Sequence, residues 1–212
     1  MAPNILLIGA TGLIGRQVAA LGGARVHALA RRPTGRAGPE TVAPPADWPA
    51  LVPTIGGEVA VSALGTTWRA AGSEAAFRAV DFDMVVDFAA AARAAGIRHM
   101  IAISSVGADP QAPAFYLRVK GEMEEKLRAL AFDRLDIIRP GLLRGARGPE
   151  RRRGERLGIL FSPLTNLFLR GRLDRFAAID AAIVARAILE LAGQQAPGTF
   201  VHHNRELHRW SS

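Results

Sequence analysis

Tyr116 and Lys120 are the residues of this 212-residue chain best placed to move a proton. Tyr116 is the only tyrosine, and Lys120 is one of two lysines among 27 basic residues. Side chains four apart on a helix share a face, so the phenol and the ammonium can enter one cleft. A neighbouring cation favours the phenolate, which makes the tyrosine a usable acid and base. Ser104 and Ser105 precede the pair at the end of the apolar run His99 to Ser104. A strand-end hydroxyl can hold a carbonyl oxygen while Tyr116 gives or takes its proton. The same hydroxyl can equally cap a turn.

A second constellation lies near the start. Gly9-Ala10-Thr11-Gly12-Leu13-Ile14-Gly15 has G-x-x-G-x-x-G spacing, after the apolar run Asn4 to Ile8 and before a helical pattern from Leu13 to Leu21. Strand, glycine turn and helix together are the setting of a dinucleotide-binding loop. Gly9 permits the tight turn, Gly12 the approach of a pyrophosphate, and Gly15 the close packing of helix on strand. The backbone from Thr11 through Leu13 and Ile14 then offers free N–H groups to that pyrophosphate. No G-K-[ST] follows, so a P-loop is not indicated. Arg31 and Arg32 end the second strand, where an acidic residue would select NAD. Two guanidiniums suit a 2′-phosphate, so NADP is expected, with NAD the alternative.

The remaining elements place these residues. Strands are expected at Arg25–Ala30, Glu58–Ser62, Leu135–Arg139 and Gly198–His202, with a short edge strand near Thr41-Val42. Helices are expected at Ser73–Ala95, ended by Gly96, at Tyr116–Leu130 and at Asp180–Leu191. Glu122, Glu124, Glu125, Lys126 and Arg128 are assigned mainly to the wet side of the second of these helices. Asp81 and Asp87 are assigned to a surface or dimer face. Strands alternating with helices predict an α/β fold, a doubly wound parallel Rossmann-type sheet with helices on both faces. The whole chain, 1–212, reads as a single domain with a minimal substrate-binding region around 142–176.

Composition narrows the class. Hydrophobic residues make up 49% and charged residues 22%, within the globular range. The absence of cysteine excludes disulfides, thiolate nucleophiles and Cys-bound metals. The net charge of +8 invites a nucleic-acid partner, but the aromatics are few and not interleaved with the arginines. It is read as compositional bias, with no specific nucleic acid as partner. Met1 to Leu21 lacks a basic start and is broken by glycines, so it is no secretory signal. No apolar stretch is long enough to span a bilayer, and a cytoplasmic protein with no membrane partner is expected. His202, His203 and His208 lack the spacing of a metal site, and no metal is expected. The arginine-rich loop from Arg144 to Arg156 is read as a solvated rim.

Several stretches, from Ala63-Leu64-Gly65-Thr66-Thr67 and Val80-Asp81 to Ser104-Ser105-Val106-Gly107-Ala108-Asp109, Tyr116-Leu117-Arg118-Val119-Lys120-Gly121-Glu122 and Arg139-Pro140-Gly141, carry a wider resemblance. Across nearly its whole length the chain resembles the short-chain dehydrogenase/reductase superfamily, and more closely the atypical branch that includes the Tat-interacting-protein oxidoreductases. The resemblance implies NADP(H) binding and a Ser-Tyr-Lys site. Tyr116 would be proton donor and acceptor, Lys120 its partner and a ribose ligand, and Ser105 the carbonyl-binding serine, with Ser104 beside it at the cofactor. Ala63, Leu64 and Gly65 would border the cofactor ribose. Pro140, Gly141 and Leu142 would contact the carboxamide, and Asp47 and Trp48 the adenine. Typical members carry Asn-Asn-Ala-Gly where this chain has Ser62-Ala63-Leu64-Gly65, and the spacing from Ser105 to Tyr116 is short.

The expectation is an NADP(H)-dependent oxidoreductase acting on a small carbonyl or alcohol, with a homodimer through the long helices as the expected assembly. Two other classes stay open: a nucleotide-binding sensor without turnover, and an epimerase or dehydratase that regenerates its cofactor. No G-x-S-x-G elbow points to a serine hydrolase.

Overall fold

The computed structural model describes residues 2–144 and 176–210. In chain order the elements begin with β1 (Ile5–Ile8), α1 (Leu13–Gly22), β2 (Val26–Ala30), β3 (Glu40–Val42), α2 (Trp48–Ile55) and β4 (Val59–Ser62). Next come α3 (Trp68–Ala71), α4 (Glu74–Arg78), a π-helical turn (Ala79–Asp83), α5 (Met84–Ala94), β5 (His99–Ile103) and α6 (Phe115–Ala129). Then follow β6 (Arg134–Ile138), β7 (Leu143–Arg144), β8 (Ile179–Asp180), α7 (Ala181–Ala192), β9 (Gly198–His202) and α8 (Asn204–Trp210).

Seven strands form one parallel sheet in the order β3-β2-β1-β4-β5-β6-β9. The winding reverses between β1 and β4, where this fold class opens its ligand crevice at the strand carboxyl ends. β1, β4, β5 and β6 are buried along their whole length, as continuous apolar runs covered on both faces require. On one face Leu7, Val61, Ile101 and Ile103 pack with α1, α7 and Leu207 of α8. On the other, Leu6, Ile8, Ala60 and Met100 pack with α2, α5 and α6.

The fold agrees with the α/β expectation, including the edge strand at Thr41-Val42. The long helix expected at Ser73–Ala95 is present as α4, the π turn and α5, and Gly96 follows it at φ 87°. Sequence reading missed α2, whose Pro49 and Pro53 hide it. Pro49 sits in the first turn, where a missing N–H costs nothing. It also missed α3 and α8, helices of four and seven residues. Most of the expected substrate-binding region, and of the arginine-rich loop, lies outside the described residues.

β5, β6 and β9 are also tied by charge. Asp136 on β6 is fully buried. It accepts hydrogen bonds from Arg134 at 2.7 and 2.9 Å and pairs with His99 and His202 at 2.7 Å each. Burial alone would raise its pKa. The hydrogen bonds from His202, His99 and Arg134, with the guanidinium charge, outweigh burial and hold Asp136 well below the usual carboxylate range.

Candidate functional site

The glycine loop connects the carboxyl end of β1 to α1. Gly9 has φ 85°, and a methyl placed there would lie 2.5 Å from the Ala63 carbonyl carbon. A methyl at Gly15 would lie 2.1 Å from the Gly9 carbonyl oxygen. Both glycines therefore answer to the protein's own packing: the first brings the β4 loop against the β1 loop, the second brings α1 under the turn. Gly12 caps α1 without any side-chain hydrogen bond, which leaves the first N–H groups of a ten-residue helix for a ligand. Thr11 is exposed on this turn, Leu13 is half-buried, and Ile14 packs into the core. An uncapped helix start on a side-chain-free loop at the switch point fits the pyrophosphate of a dinucleotide.

Arg31 and Arg32 follow β2 directly, at its carboxyl end, and are both exposed. Arg36, farther along, is instead structural: its guanidinium donates to the carbonyls of Val26, Pro39, Ala19 and Gly23. Asp47 is exposed, but Trp48 is not a free platform. Its indole is buried and its N–H donates to the Ala43 carbonyl at 3.0 Å. The ring packs into the core, its N–H has a protein acceptor, and it lines a cavity of about 230 Å³ together with Pro45, Ala46, Met84 and Phe88.

Tyr116 lies in the first turn of α6 and is 39% exposed. Ser105 follows β5 and is half-buried, its hydroxyl 3.3 Å from the Val106 carbonyl. Ser105 lies just past the carboxyl end of β5, and Tyr116 begins the helix that follows it. Gly121 lets α6 approach this edge, since a methyl there would meet the Pro110 nitrogen at 2.2 Å. Ala63 is hydrogen-bonded through its N–H to Ile8 at 2.9 Å, and Leu64 and Gly65 continue that rim. Pro140 accepts from the Val106 N–H at 3.1 Å, and Gly141 donates to Asn204 at 2.9 Å. Leu142 is 58% exposed beside them.

Three acidic or polar positions depart from expectation. Asp81 is fully buried rather than on a surface, and its carboxylate pairs with Lys120 at 2.8 Å. Its other oxygen accepts the Thr66 N–H at 2.8 Å. Lys120, itself 1% exposed, also donates to the Ile103 carbonyl at 3.2 Å. The ammonium is thus fixed by an anion and a carbonyl. Glu124, assigned to the wet side, is fully buried and takes Arg139 in a two-pronged pair at 2.8 and 2.6 Å, with Arg128 at 3.0 Å. Ser104 donates to the same carboxylate. That corrects Ser104 as a cofactor contact: its hydroxyl is buried and locks α6 to β5.

Sequence reasoning missed Asp81, yet a signal was present. Phe77, Asp81, Val85 and Phe88 recur at helical spacing, so Asp81 stands on the buried stripe, where a carboxylate needs a partner. The π turn at Ala79–Asp83 carries it, and such turns frequently mark functional sites. Of the histidines weighed as a metal cluster, His202 is bonded to Asp136.

The fold and this edge define the class: the chain has the short-chain dehydrogenase/reductase fold. A short-chain dehydrogenase/reductase superfamily protein from Agrobacterium tumefaciens with bound NAD superposes with TM-score 0.70 at 19% identity, over 94% of this chain and 77% of that one. The Bordetella bronchiseptica enzyme WbmH in complex with NAD+ superposes with TM-score 0.69 at 16% identity, over 95% and 75%. No protein-family model matches the chain. By sequence it is 35% identical over 213 residues to the mitochondrial protein Fmp52 of Aspergillus niger, covering 91% of this chain and 88% of that protein. The chain belongs to the Fmp52 family. The relatives' names place them in mitochondria, which overturns the cytoplasmic expectation. Among the described residues no helix is long and apolar enough to cross a membrane.

Proposed function

We propose that this protein is an NADP(H)-dependent oxidoreductase that interconverts a carbonyl and an alcohol. One observation carries the reading. Tyr116, half-exposed in the first turn of α6, stands one helical turn before the buried Lys120, in a chain whose glycine loop and helix start without a side-chain cap fit a dinucleotide. The cofactor supplies or accepts a hydride at the substrate carbon. In the reducing direction Tyr116 gives its phenolic proton to the carbonyl oxygen as the C=O π bond breaks and an O–H bond forms. Ser105 holds that oxygen by hydrogen bonding. Lys120, anchored by Asp81 and the Ile103 carbonyl, presents a fixed cation to the ribose side of the cleft. Arg31 and Arg32 would pair with a 2′-phosphate, which favours NADP over NAD.

A second reading is favoured by the Asp81–Lys120 pair. An ammonium already neutralised by a buried carboxylate suits a nucleotide-binding sensor without turnover. The two separate in one experiment: NADPH affinity by fluorescence, followed by NADPH oxidation with a panel of aldehydes, ketones and quinones. Micromolar binding with turnover supports the oxidoreductase. Binding with no oxidation by any carbonyl rejects it in favour of the sensor.

A further inference from the structure

Four rings meet around the tyrosine. Phe77 lies edge-on to Tyr116 at 5.6 Å and to Phe115 at 5.8 Å, and Trp68 meets Phe115 at 5.7 Å and Phe77 at 6.5 Å. Phe77 is buried and Phe115 half-buried, whereas Trp68 is 54% and Tyr116 39% exposed. The inner pair therefore braces an outer pair that faces water. The element bearing Trp68 makes the point more sharply. α3 is four residues long and buries none of them. Yet it is closed at both ends, by the Thr67 hydroxyl accepting the Ala70 N–H and by Gly72 at φ 77°. It follows directly on the β4 loop whose Thr66 N–H binds Asp81. A helix that buries none of its residues but is held in place has Trp68 as its one aromatic side chain, set on the same ring cluster as Tyr116.

We infer that Trp68 and Tyr116, braced by Phe77 and Phe115, form a wall for a planar apolar substrate. The class is an aryl aldehyde, aryl ketone or quinone, and Trp68 is the specificity-determining residue. The inference rests on Tyr116 being the proton donor and acceptor. Exposed aromatic surface is the kind that binding covers. Ring-on-ring contact adds to area burial by an amount equivalent to about three- to tenfold in affinity. A saturated ring of the same skeleton presents no π-face to the wall and forgoes that increment.

The test compares benzaldehyde with cyclohexanecarbaldehyde as substrates of the full chain with NADPH, for wild type, Trp68→Ala and Trp68→Phe. Using the ratio of the two kcat/KM values across variants cancels their different intrinsic reactivities. Trp68→Ala is expected to lower the aryl-to-cyclohexyl ratio about fivefold, and Trp68→Phe to restore most of it. An equal ratio in all three proteins overturns the inference. If neither compound, nor any other aldehyde, ketone or quinone of the panel, is reduced although NADPH binds, the oxidoreductase reading fails by itself. The wall is then decided by calorimetric titration of the same compounds into the NADPH complexes. Selective loss of the aryl ligand in Trp68→Ala upholds it, and equal affinities overturn it.

Discussion

Replacing Asp81 by alanine tests the feature of the site least visible in the sequence. Asp81 and Lys120 are both almost wholly buried and 2.8 Å apart. Removing one partner of such a pair leaves a buried charge uncompensated, a loss of about 3–5 kcal/mol. The Thr66 N–H loses its acceptor as well, which places the expected value toward the upper end. For a chain of this size each kcal/mol lowers Tm by roughly 2–4 °C, so a fall of roughly 6–20 °C is expected. The double change Asp81→Leu with Lys120→Met removes both charges, and the matched apolar pair is expected within about 2 kcal/mol of wild type. Asp81→Asn keeps an acceptor for Thr66 and falls between. Urea unfolding followed by far-UV circular dichroism reads all three. A loss below about 0.5 kcal/mol for Asp81→Ala, the value of an exposed position, would refute the buried pair. So would a double variant no more stable than the single one.

Four other outcomes follow from the same geometry. Tyr116→Phe, which keeps the ring on Phe77, is expected to leave NADPH affinity within twofold and cut turnover at least about a hundredfold; steady-state rates near wild type would remove Tyr116 from its role. Gly15→Ala places a methyl 2.1 Å from the Gly9 oxygen, so fluorescence titration should show nucleotide binding weakened more than about tenfold, and unaltered binding would contradict the tight loop. Arg31→Glu with Arg32→Glu should shift the NADPH-to-NADH affinity ratio toward NADH by about tenfold to a hundredfold, because each guanidinium can make charge-assisted bonds to a 2′-phosphate; a constant ratio would assign that phosphate to other residues. Asp136 has a folded pKa below its unfolded value, so its stabilisation is complete above about pH 4 and is lost as pH falls further. In Asp136→Asn the urea midpoint should therefore vary less between about pH 5 and pH 2 than in wild type, and parallel curves would count against the cluster.

The sheet was legible because its strands are short apolar runs punctuated by glycine, and β1, β4, β5 and β6 need no partner information to be recognised. The glycine loop was legible for the same reason: a local pattern with a local steric cause. Asp81 and Glu124 were not. A charged residue on a helix is normally solvated, and only contacts from distant residues, Lys120 for one and Arg139 for the other, make burial tolerable. The four-residue offset correctly placed Tyr116 and Lys120 on one helix. It carried no information about the carboxylate that receives the ammonium. The tie between the Trp48 N–H and the Ala43 carbonyl just after β3 was not legible either, because no local pattern specifies it.

The π turn at Ala79–Asp83 also sets the phase of what comes after it. Successive residues of an α-helix advance by about 100°, whereas a π turn closes i→i+5 and so takes up an extra residue. Asp81, carried inside that turn, addresses Lys120, while Val85 and Phe88 beyond it pack into the core. The length of chain between Phe77 and Val85 is therefore answerable to two partners at once, the lysine on α6 and the apolar layer under the sheet.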